Sequence, residues 1–204
     1  MKSVRFLPLL AVTVLGSIAA SPLPTADDWT VDRAHTEIAF SVNHFFTPVT
    51  RKFESFDISL EYDREDPDAS AVDVTIDVAS VNTNNEKRDN HLKSEDFFEA
   101  DSHPQITFRS TSVRKVDETN LIATGPLTIK GITHEVELPI SLLGVQEIPA
   151  EMREMLGGAR SVASFSTSTQ VDRRDFGVGV GSWAATLVVG GNVAIDITLE
   201  AALK

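Results

Sequence analysis

The sequence predicts an all-β fold: eight antiparallel strands closed into a barrel, with one short helix between strands. Three observations carry this. Apolar and polar residues alternate with a period of two through several long stretches, as they do in strands with one buried face. Turn-forming clusters separate several of these stretches, at Asp66-Pro67-Asp68, Asp117 to Asn120 and Lys130-Gly131. The alternation leaves one face polar, which suits antiparallel sheets rather than parallel sheets buried on both faces.

From the N-terminus, Lys2 and Arg5 precede an apolar run from Phe6 to Ile18 and the small residues Ala19, Ala20 and Ser21. This is the three-part layout of a secretory signal peptide over residues 1–20, cleaved after Ala19 or Ala20. The alternative is an uncleaved anchor, but a spanning helix needs about 20 apolar residues and this run is shorter. No Cys follows it, so no lipoprotein anchor is expected. Residues 21–28 read as a linker and 29–204 as one domain. The expected location is periplasmic or secreted.

Within the domain, Ile38, Phe40 and Val42 alternate with polar or small neighbours. So do Phe56, Ile58, Leu60 and Tyr62, then Val72, Val74, Ile76 and Val78. Weaker strands are expected over 105–116, 120–130 and 160–171. Val136, Leu138 and Ile140 mark another, and Val193, Ile195, Ile197 and Leu199 the last. Eight such strands close into a barrel or stack as a sandwich. The last keeps its alternation almost to the C-terminus, as a closing barrel strand would. Residues 84–97 read as a short helix capped by Asn82, Thr83 or Asn84. Residues 147–158 read as a loop with a helical turn ending at Gly157-Gly158, the kind of insertion that covers a barrel end.

The chain has 204 residues, 42% hydrophobic and 24% charged, ordinary for a globular domain with its own core. It has no Cys, so packing alone must hold it. A net charge of −12 argues against a nucleic-acid partner and against attraction to anionic lipid surfaces. The histidines, His35, His44, His91, His103 and His134, show no metal-site spacing. There is no Gly-x-Ser-x-Gly string and no phosphate-binding or dinucleotide motif. Neither a metal nor an organic cofactor is expected.

Five strings in order resemble the YceI-like family of lipid-binding, lipocalin-like proteins. They are His35-x-x-Ile38-x-Phe40-x-Val42-x-His44, Arg88-Asp89-x-His91-Leu92-Lys93-Ser94-x-Asp96-Phe97-Phe98, His103-Pro104-x-Ile106-x-Phe108-x-Ser110, Gly125-x-Leu127-Thr128-Ile129-x-Gly131-Ile132-Thr133 and Arg174-Asp175-Phe176-Gly177. The resemblance spans Trp29 onward; residues 145–160 are longer and more acidic than its pattern. It implies an extended antiparallel barrel with an apolar interior that binds isoprenoid or fatty chains. It also implies a homodimer and a periplasmic or secreted location.

On that resemblance the expected function is to carry or store a long apolar lipid, held non-covalently and exchanged with an unidentified envelope donor or acceptor. Strands of about ten residues give an interior on the order of 30 Å long. A tail of about 20 carbons, at roughly 0.8 kcal/mol per buried CH₂, gains more than about 10 kcal/mol before association costs. Phe40, Phe56, Val74 and Phe108 are the expected walls, being on the apolar faces of their strands, with Val42 on the face of Phe40. His44 shares that parity near its strand's end, and either fixes a lipid head or is a hydrogen-bonded structural histidine. His35, of opposite parity, reads as structural. Arg88 and His91, beside Asp89 and Lys93, either form a mouth for an anionic head group or pin the helix. Arg174 carries the same ambiguity, and Phe176 follows it in the last motif. Two other functions stay open: an enzyme acting on a lipid with His44 as general base, and a packed barrel acting through its outer surface.

Overall fold

The computed structural model describes residues 27–204. The proposed signal peptide and most of the proposed linker lie outside the described residues. The first strand begins at Asp27, so the last two residues of the segment read as linker belong to the sheet.

Strand segments β1 (Asp27–Val31), β2 (Glu37–His44), β3 (Thr47–Phe53), β4 (Phe56–Tyr62), β5 (Ala71–Asp77) and β6 (Val81–Asn82) precede helix α1 (Glu86–Lys93). Then come β7 (Gln105–Arg109), β8 (Ser112–Lys115), β9 (Asn120–Ile129) and β10 (Ile132–Glu147). Helix α2 (Ala150–Arg153), β11 (Ser161–Asp172) and β12 (Val189–Leu203) complete the chain. All pairings are antiparallel, and the segments form eight staves in chain order: β1 with β2, β3 with β4, β5 with β6, β7 with β8, then β9 to β12 singly. The ring closes where β12 meets the first stave, through Ala202 opposite Thr30 and Ile197 opposite Ile38. The sequence thus predicts one segment of every stave.

The first four staves are broken for local reasons. Between β1 and β2 the chain makes a 3₁₀ turn, where the Asp32 carboxylate accepts from the Ala34 N–H at 2.8 Å. Asp77 caps the turn between β5 and β6 in the same way, through the Ala79 N–H. Where β7 gives way to β8, the Arg109 carbonyl passes over Gly125, and a Cβ there would lie 2.0 Å from that oxygen. Gly125 is therefore dictated by backbone approach. The β9–β10 hairpin turns through Lys130 and Gly131 with φ of 49° and 73°, the left-handed pair that a two-residue turn between twisted strands requires.

Helix α1 is shorter than the predicted 84–97. Its cap is Asn85, whose side chain accepts from the Arg88 N–H at 3.1 Å; Asn84 instead takes a positive φ. Residues 94–102 then fold into turns. Among the described residues no helix is long and apolar enough to cross a membrane.

Alternating connections give the barrel two ends. The roof end carries the β2–β3 hairpin, the α1 segment, the β9–β10 hairpin and the β11–β12 connection. The floor end carries the start of β1, the β4–β5 and β8–β9 connections and the α2 loop. Inward alanines Ala123, Ala163 and Ala201, each 0% exposed, leave room there for an aromatic plug. The Tyr62 and Phe165 rings meet edge-on at 5.1 Å, and Trp29 packs on Tyr62 and donates its indole N–H to the Tyr62 carbonyl at 2.9 Å. Burial pushes the Tyr62 phenol above its ordinary pKa.

Candidate functional site

The inward side chains do not meet everywhere along the axis. A void of about 150 Å³ lies in the roof half. Its walls include Phe40, Val42 and Ile195; Leu92, Phe97 and Phe98 of the α1 segment close it from above, with Phe176 and Val178 from the β11–β12 connection. A smaller void of about 70 Å³ lies toward the floor, between Leu60, Val113, Leu121, Phe165 and Leu199. Val74, Phe108, Leu138 and Ile197 line both and form the constriction between them.

Of the predicted site residues, Phe40, Val42, Val74, Phe108 and Phe176 line the roof void. Phe40 stacks at 5.3 Å on Phe53, which in turn meets Phe98 of the roof. Phe176 is 2% exposed and takes the His134 ring edge-on. Five others are placed elsewhere. Phe56 starts β4 at the break in its stave and lines neither void; the Arg33 guanidinium covers its ring at 4.8 Å. His44 has the expected parity but sits exposed at the last position of β2, against the Phe45 ring, because the strand runs past the barrel rim.

Arg88 and Asp89 fasten the helix. Arg88 donates to the Thr83 hydroxyl at 2.8 Å and to the Thr83 carbonyl at 2.7 Å, while Asp89 accepts from the Thr83 N–H and hydroxyl. Of the two readings offered for the cluster, this geometry is the pinning one. His91 lies behind the roof between the Phe97 and Trp183 rings, 3.1 Å from Asp96. Arg174 is exposed and pairs with Asp172, whose carboxyl it holds at a pKa of about 2 together with the Arg174 N–H.

The cation at the cavity is the neighbouring residue. Arg173 is 4% exposed and lines the roof void. Its guanidinium donates to the carbonyls of Gly190 at 2.9 Å, Val178 at 2.7 Å and Trp183 at 2.7 Å, with longer bonds to Val189 and Gly179. No carboxylate pairs with it among the described residues. Burial draws its pKa below the ordinary guanidinium value, offset in part by nearby Asp172. Gly179 makes the fit possible, since a Cβ there would lie 2.2 Å from the Arg173 guanidinium. Arg173 thus anchors the β11–β12 connection over the barrel mouth. Parity was the available signal, because Ala163, Phe165 and Val171 are inward and Arg173 continues their odd register. Arg51 carries the same signal: it is the register partner of Phe40, and its Nε is buried without a hydrogen-bond partner.

His35 is structural in position. Its Nδ1 lies 2.9 Å from Asp32 and 3.8 Å from Glu200, linking the β1–β2 break to β12. The hydrogen bond that the ring donates to Asp32, then the charges of Asp32 and Glu200, raise the His35 pKa.

The sequence matches the YceI-like domain family over residues 29–201. Protein YceI of Escherichia coli O17:K52:H18 (strain UMN026 / ExPEC) is 34% identical over 173 residues, spanning 83% of this chain and 86% of its own. The crystal structure of Burkholderia cenocepacia BcnA superposes with a TM-score of 0.73 at 25% identity, covering 83% of this chain and 98% of that one. A polyisoprenoid binding domain from Saccharophagus degradans superposes with a TM-score of 0.63, covering 87% of this chain and 99% of that one; at 13% identity the likeness is one of fold.

Proposed function

The chain belongs to the YceI-like domain family, and on that premise we propose that it holds a long apolar lipid chain inside the barrel and carries or stores it in the cell envelope. On this reading the chain is a binding protein rather than an enzyme. The ligand class is an isoprenoid quinone, an isoprenoid phosphate or a fatty chain. Segment 1–20 would deliver the protein across the inner membrane. The observation that carries this reading is the pair of apolar voids in line along the barrel axis, beneath a roof built from a short helix and loops.

The voids also set the mechanism. A dry cavity of about 150 Å³ takes up a small ring molecule and no more. A long chain therefore requires Leu92, Phe97 and Phe98 to swing aside and the constriction at Val74, Phe108, Leu138 and Ile197 to change rotamers, joining the two voids. Entry from the roof places the tail toward the floor and leaves the head near Arg173 and Arg51. Hydrocarbon burial supplies the affinity at roughly 0.8 kcal/mol per CH₂. His44 is exposed on the rim and lines neither void.

The test is organic extraction and mass spectrometry of protein purified from cells with the signal segment intact. A stoichiometric isoprenoid or fatty lipid is the expected result. An empty barrel that also fails to take up a polyprenyl alcohol in vitro would overturn the reading.

A further inference from the structure

Phe45 and Phe46 form the tip of the β2–β3 hairpin at the roof end, and hairpin tips do not ordinarily look like this. Phe46 is 96% exposed and Phe45 52%, and Leu187 beside them is 79% exposed. The Phe45 N–H donates to the Val188 carbonyl at 2.8 Å, so hairpin and β11–β12 connection form one lip. Phe45 also takes a φ of 52°, a left-handed conformation that turns usually give to Gly, Asn or Asp. A bulky aromatic there sacrifices turn stability and solubility together, which points to function.

The lip is set apart electrostatically. The chain carries a net charge of −12, yet there is no Asp or Glu between Glu37 and Glu54, and no charged residue at all between Asp175 and Asp196. The lip is built from these two stretches. Its inner side is the cavity: Val42 and Val189, next to the tip in register, line the roof void.

We propose that this lip docks the barrel onto a phospholipid bilayer, with Phe45, Phe46 and Leu187 inserted at the interface, so that a lipid chain passes between membrane and cavity without crossing water. Aromatic side chains favour that interface, and apolar insertion requires no anionic lipid. The acidic remainder of the surface, repelled by anionic head groups, turns the molecule lip-first. The proposal rests on the lipid-holding reading only for its purpose, because docking is measured without cargo.

The test is flotation of the chain lacking residues 1–20 with phosphatidylcholine vesicles, and with vesicles containing phosphatidylglycerol. The unsubstituted protein floats with both. Phe45→Asn combined with Phe46→Gly, which gives the left-handed position a residue that tolerates it and removes both exposed rings, lowers partitioning by roughly tenfold or more. The variant keeps its fold and any bound lipid, and Leu187→Ser has a smaller effect in the same direction. An empty barrel that still floats supports docking and counts only against the cargo reading. Absence of flotation, unchanged flotation of the double variant, or a dimer that the variant dissolves in the absence of vesicle binding would each overturn the proposal.

Discussion

The two ends of this barrel are built from the same alternating staves and do opposite things. At the floor, alanines at 0% exposure make room for Trp29, Tyr62 and Phe165, and the remaining void is about 70 Å³. At the roof, the inner faces carry Phe40, Val42 and Val193, the closure comes from inserted segments rather than from the staves, and the void is about 150 Å³. Polar contacts divide likewise. Around the roof, Arg173, Arg88 and Asp89 spend their hydrogen bonds holding loops and α1 in place. The lesson is that the floor is closed by the staves' own side chains, whereas the roof is closed by inserted segments that their own hydrogen bonds hold in place.

The largest expected effect breaks the floor. Phe165→Ala removes the centre of the plug and costs roughly 3–5 kcal/mol, read by urea unfolding. If the floor were as loosely filled as the roof, the loss would fall well below that range. A smaller stability effect with a larger functional one comes from Val193→Phe, which grows into the roof void. Because the phenyl ring grows into space already empty, the cost falls at the low end of the roughly 1–3 kcal/mol of a small-to-large core substitution, while lipid recovered from the purified protein falls to a trace. A folded variant that retains its lipid would put the ligand elsewhere.

The smallest effect concerns the rim. Asp172 is held at about 2 in the folded protein, below its ordinary 3.8, so folding favours its charged form. Its contribution is present above about pH 4 and is lost as pH falls through about 2. NMR titration of Arg174→Ala should show the Asp172 carboxyl moving back toward 3.8, with lipid retention unchanged. Loss of lipid in that variant would return Arg174 to the site.

Period-two alternation located every stave and the inward side chains Phe40, Val42, Val74 and Phe108, because parity reports which face a residue occupies. It does not report height along the axis. His44 has the parity of Phe40 but lies past the rim, and Phe56 has the parity of Leu60 but sits at a break. Segment β3 is hidden because Thr47, Pro48 and Arg51 interrupt its apolar pattern, and β1 because Asp27 and Asp28 leave only Trp29 and Val31 to alternate. The partners of Arg88, His91 and Arg174 are set by how the roof loops fold back, which no spacing encodes. Arg173 was legible by parity; the motif drew attention to its neighbour instead.

The central claim is that a lipid chain occupies the roof void and reaches past the constriction. A crystal structure of the protein loaded with a polyprenyl alcohol tests it most directly. The account predicts continuous chain density from beneath Phe98, past Val74 and Phe108, with Leu92 and Phe97 displaced. Unshifted roof side chains and a chain bound only on the outer surface would contradict it.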